Sequence, residues 1–113
     1  MPVNINTSEI IKQVESGIAG IAKQSLKDYV TQAQKDGKAF LDSIEVDLKN
    51  WTDMLAAGQL SPADFKDLVQ GKNELLAMVA LKQAGLAALQ LDKFKGAVID
   101  LLINTVLTVV KAL

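Results

Sequence analysis

The sequence predicts an all-α protein, and three observations carry that prediction. Half of the residues are apolar while only 4% are aromatic, so Leu, Ile, Val and Ala must supply the core. Proline, the residue that most strongly interrupts a helix interior, occurs only at Pro2 and Pro62. Apolar and small residues also recur at helical spacing through the first half of the chain. At 113 residues the expectation is a single helical domain, residues 1–113. Its expected architecture is a long antiparallel helical hairpin: a helix over about 7–57, a short helix over 62–70 and a long helix over about 72–112. A compact four-helix bundle with breaks near Gly37 and Gly85 is the alternative.

Residues 1–5 read as an extended lead-in. Asn6 can accept from the N–H groups of a first helical turn, and Glu9, three residues on, completes a capping-box pattern at the positive end of the helix dipole. Further along, Ile18, Ala22, Leu26, Tyr29, Ala33, Gly37, Phe40, Ile44, Leu48, Trp51 and Leu55 follow one another in repeated steps of four, four and three. Tyr29, Phe40 and Trp51 share one slot of this eleven-residue repeat. Such a repeat averages about 3.67 residues per turn, close to the natural helix, so one face stays in line. The register runs unbroken through Lys35-Asp36-Gly37-Lys38, which in isolation resembles a turn. One continuous helix of about 75 Å is therefore expected. A glycine inside it costs about 1 kcal/mol relative to alanine, which close approach of another helix would explain. Gly17-Ile18-Ala19-Gly20-Ile21-Ala22 reads in the same way, as a place for intramolecular helix packing.

Gly58 after Ala56-Ala57 fits a left-handed helix end. In Ser61-Pro62-Ala63-Asp64 the serine is an N-cap, the proline takes the first helical position and the acid the third. The helix from Pro62 gathers Phe65, Leu68 and Val69 on one face, and Gly71 stops or bends it. The alanine-rich run that follows reads as helix, with Gly85 marking a close contact. Asp92, Lys93 and Lys95 suggest an exposed patch around Phe94 and Gly96. Residues 97–113 are the most apolar stretch of the chain. A polar line through Gln83, Gln90, Lys93, Asp100, Asn104, Thr108 and Lys111 leaves an apolar arc wider than a single neighbouring helix covers.

The composition also narrows function. Twelve basic residues, all lysine, face thirteen acidic ones, so no positive field and no guanidinium fork point to nucleic acid. Histidine and cysteine do not occur, which removes the commonest general base, thiolate chemistry and the commonest metal ligands. Asp42 and Glu45 lie three apart on a helix, but they stand among lysines as a solvated face does. No catalytic residue, metal site or cofactor is expected. A membrane span needs about 20 apolar residues, and Asp100, Asn104 and Lys111 interrupt the tail. The first residues lack a basic and then apolar leader pattern, so cytoplasmic residence is the expectation.

The surplus apolar arc makes self-assembly the leading expectation. The chain reads as a non-enzymatic helical module forming a homo-oligomer, or binding another helical protein, through its C-terminal helix. The residues expected at that contact are Val98, Leu101, Leu102, Val106, Val109 and Leu113, with Tyr29, Phe40 and Trp51 on the repeat. A membrane-active, pore-forming or lipid-binding protein is the alternative.

Overall fold

The computed structural model describes residues 6–112, so the expected lead-in over residues 1–5 and the contact residue Leu113 lie outside it. The described chain is all-α, with five helices: α1 (Thr7–Ser25), α2 (Val30–Ala56), α3 (Pro62–Gly71), α4 (Val79–Gln83) and α5 (Ala88–Lys111). Single 3₁₀ turns at Lys27–Tyr29 and Asn73–Leu75 join α1 to α2 and lead towards α4. Asn6 caps α1 as its position suggests, its side chain accepting from the Glu9 N–H at 3.2 Å.

The single helix expected over about 7–57 is two helices, and the break lies at Leu26 rather than at Gly37. Leu26 leaves the helical region at φ −134°, ψ 50°, and the chain reverses within the following 3₁₀ turn. Ile18 of α1 lies against Gly37 of α2, while Asn6, Thr7 and Ser8 share a groove with Glu45, Val46, Lys49 and Asn50. Positions descending on α1 thus match positions ascending on α2, and the pair is antiparallel. The molecule measures 48 Å along its longest axis, too short for a helix of about 75 Å.

Energetics explain the fold-back. Interrupting a helix forfeits a few backbone hydrogen bonds, each worth about 0.5–1.5 kcal/mol net. Folding back buries Ile10, Ile11, Val14 and Ile18 against α2 and the rest of the core, at about 1.5–3 kcal/mol for each large aliphatic side chain. Burial wins. The eleven-residue stripe survives the break because it records which face is buried, and both helices turn that face to the same core.

α5 completes a three-helix bundle. Leu101 lies against Gly17, and Ile21, Ser25 and Leu26 share a cleft with Gln90, Lys93, Phe94 and Ala97, so α5 runs antiparallel to α1 and parallel to α2. Both glycines are there for close approach. A Cβ on Gly17 would stand 2.6 Å from Leu101 Cδ2, and one on Gly37 would stand 2.7 Å from Ile18 Cδ1 and 3.1 Å from its Cγ2. Around Gly20, by contrast, nothing lies within 4 Å.

The short helix matches its expected limits closely. Ser61 Oγ accepts from the Asp64 N–H at 3.1 Å with Pro62 at the start, and Gly71 ends the helix. Gly58, at φ +74°, closes α2. Phe65 of α3 meets Trp51 of α2 edge-on, with ring centroids 6.3 Å apart, an arrangement favoured by the aromatic quadrupoles.

The long helix expected over about 72–112 is interrupted. After α3 come the 3₁₀ turn, a non-helical stretch through Leu76 and Met78, the five-residue α4, a left-handed Gly85 at φ +88°, and only then α5. Gly85 meets no neighbour within 4 Å, so it serves the turn and not the close contact expected of it. The interruption lets Leu76, Met78, Leu81 and Leu86 all point inwards, which no straight helix could do from those positions. Alanine's helix propensity is worth only tenths of a kcal/mol per residue and is overridden.

α4 has no capping side chain of its own, since Met78 occupies that position in the left-handed conformation, φ 55°, ψ 42°. Its cap comes from α2. Asp36, only 6% exposed, accepts from the Ala80 N–H at 2.9 Å and from the Leu81 N–H at 2.8 Å, one carboxylate oxygen to each. These are the two N–H groups that a residue at the helix start ordinarily satisfies.

Gly37→Ala should lower unfolding free energy by about 1 kcal/mol or more even though alanine is the better helix former, because the fully buried Ile18 must give way. Adding Ile18→Val, which removes the atom at 2.7 Å, should recover part of the loss. Urea denaturation of the two variants measures both effects, and a simple gain from Gly37→Ala would contradict the close approach.

Candidate functional site

The residues expected to meet a partner are mostly brought together inside the chain. On α5, Val98, Leu102 and Val106 have no exposed surface. Leu101 is half-buried against Gly17, and Val109 is partly buried against the same core. Phe40 is fully enclosed, Trp51 packs on Phe65, and Tyr29 is partly buried at the corner between α1 and α2. The wide apolar arc of α5 has a physical explanation in three neighbours, since α1, α2 and α3 all pack against it. A helix so surrounded buries more than one stripe.

The polar line is the complement of that arc. Gln90, Lys93, Asp100, Asn104, Thr108 and Lys111 are all exposed along α5, while Gln83 is exposed on α4, a different helix. The patch expected around Phe94 is corrected: Phe94 is 3% exposed and belongs to the core, Asp92, Lys93 and Gly96 face outwards, and Lys95 is partly buried.

The exposed apolar side chains are spread over the surface, with Val46 (75% exposed) and Met54 on α2 and Leu68 on α3 standing apart from one pair that meets around α4. Leu75 is 43% exposed and Val79 56%, and they line one groove with Ala39 and Ala77, both exposed too. Met78 and Asp36 are its buried members, with Lys35 and Gln83 the polar ones. The groove holds about 190 Å³. Leu89, 67% exposed, stands one residue into α5 beyond the same connection. Large apolar side chains scattered singly over a surface are ordinary, but two in one groove beside two alanines form a patch.

Sequence reading missed this surface because it placed residues 72–91 on one helix. A signal was present. Leu75, Leu76, Val79, Leu81, Leu86, Leu89 and Leu91 follow steps of one, three, two, five, three and two, which hold no single helical face. Asp36 was legible in the same sense: it lies three residues after Ala33 and four before Phe40, hence on the apolar face, where a carboxylate needs a partner.

A second cleft of about 270 Å³ lies between α1 and α5, lined by Ile21, Ser25, Leu26, Gln90, Lys93, Phe94 and Ala97. With one lysine, one serine and one amide it assembles no general base beside a nucleophile. Asp42, Glu45 and Asp53 are exposed and Asp47 is partly so. Among the described residues no group of three His, Cys, Asp or Glu side chains is placed to hold a metal ion. Nor is any described helix long and apolar enough to cross a membrane. No family model, curated protein or solved structure matches the chain.

Leu102→Ala should lower unfolding free energy by about 2–5 kcal/mol, the range for a fully enclosed leucine, as measured by urea denaturation. A variant as stable as the wild-type chain would contradict the enclosure of Leu102.

Proposed function

We propose that the chain is a non-enzymatic helical protein-interaction module that self-associates, and that the contact surface is the groove around α4. The observation that carries this reading is the exposure of Leu75 and Val79 side by side with Ala39 and Ala77. Burying such a patch against its own copy in a two-fold arrangement lets one surface satisfy both partners. A formal net charge of −1 adds almost no repulsion between copies.

The same features limit the strength of the contact. Stable dimers bury about 800 Å² per partner, and a patch built on two large side chains falls in the smaller, transient class. Association through the inner face of α5 is less economical, because Val98, Leu102 and Val106 would first have to leave the core. A lipid-binding role for α5 faces the same requirement.

Multi-angle light scattering from about 10 μM to about 1 mM, the range suited to weak interfaces, should give a mass that rises towards a dimer. Val79→Lys, at a position already 56% exposed, should hold the mass at the monomer value while leaving helix content unchanged. A monomer at every concentration overturns the proposal, as does a dimer that Val79→Lys leaves intact.

A further inference from the structure

The segment between α3 and α5, residues 73–86, differs from the rest of the fold in how it is held. It contains one 3₁₀ turn and one five-residue helix, too short to persist without outside support. Its attachment is inward burial of Leu76, Met78, Leu81 and Leu86, together with the two hydrogen bonds from Asp36. Among the described residues every other side-chain hydrogen bond spans only three positions, so Asp36 makes the only such bonds between distant parts of the chain. The ion pair of Lys72 with Asp47 at 3.4 Å stands just before the segment, but both side chains are 42% exposed, which leaves it little force.

Both ends of the segment can turn. Gly71 closes α3 on one side, and Gly85 sits in the left-handed region on the other. Within it, Met78 holds a left-handed conformation that disfavours any side chain with a Cβ. The three long helices do not need the segment to find one another, since α1 packs directly on both α2 and α5.

We propose that residues 73–86 form a strap that opens as one cooperative unit while the α1–α2–α5 bundle stays folded, and that the Asp36 carboxylate is its latch. Opening frees the Ala80 and Leu81 N–H groups together and uncovers the face of α2 around Asp36, four residues before the enclosed Phe40. Proteins open in contiguous units of this kind, each with its own free energy below that of global unfolding. The opening is a property of the single chain and does not rest on association, which by covering Leu75 and Val79 would only make it rarer.

Native-state hydrogen exchange of the wild-type chain in increasing low urea tests this. The amides of Ala80, Leu81 and their strap neighbours should exchange through one shared opening, faster than core amides of α1, α2 and α5. Their dependence on urea should also be weaker, because less surface is exposed than in global unfolding. Asp36→Asn replaces one charged acceptor oxygen by a donor, and should accelerate strap exchange about tenfold or more while leaving bundle amides within about twofold. Strap amides that exchange only with the bundle, at its rate and its urea slope, overturn the proposal in the wild type alone. An Asp36→Asn variant that accelerates strap and bundle equally, or neither, overturns the latch.

Discussion

Asp36 sits where the two halves of the chain have to agree. It belongs to α2 by sequence and to α4 by its hydrogen bonds, with 2.9 Å and 2.8 Å to two successive N–H groups. A carboxylate this enclosed would be costly without partners, and two charge-assisted bonds are a sufficient reason for it to be there. The arrangement also fixes register. Only one placement of α4 along α2 puts the Ala80 and Leu81 N–H groups on those oxygens, and that placement sends Leu81 into the core. Where apolar contacts alone would tolerate sliding, the carboxylate does not.

The rest of the fold follows from how closely α1 can approach its two neighbours. Gly37 admits Ile18, and Gly17 admits Leu101, so α1 lies tight against both α2 and α5. These glycines weaken their helices by about 1 kcal/mol each, a loss offset by the contacts that the missing Cβ permits. With α1 so placed, α5 has neighbours round much of its circumference, and its many aliphatic residues become the centre of the bundle. The apolar excess of residues 97–113 is then a consequence of position.

Much of this was legible in the sequence, and the remainder divides along physical lines. Caps were readable because they rest on local chemistry: Asn6 with Glu9, and Ser61 with Pro62 and Asp64, act within one turn. The buried stripe was readable because spacing reports burial. The reversal at Leu26 was not, because the same stripe serves one straight helix or two folded together, and neither glycine nor proline marks the corner. The path of residues 72–87 was hidden for a different reason. Its alanines favour helix, while the contacts that override them come from Asp36, 44 and 45 residues away from its partners. Val98, Leu102, Val106 and Phe40, expected at a contact with a partner, are covered inside the chain. That their cover is the chain itself depends on the fold-back at Leu26.

That dependence decides where interaction can occur without unfolding. Had the first half been one straight helix, α1 would lie far from α5, and the inner face of α5 would be the apolar surface seeking a partner. Because α1 folds back, the face is occupied, and an apolar patch that the chain leaves uncovered lies around α4. There Leu76, Met78 and Leu81 are committed inwards, and the neighbouring Leu75, Ala77 and Val79 point outwards. Over residues 76–78 the chain leaves the helical path, with Met78 left-handed, so Leu76 and Met78 turn inwards while Ala77 between them stays outside. The left-handed turn at Met78, between the 3₁₀ turn and α4, thus leaves an exposed apolar patch beside the carboxylate that caps α4.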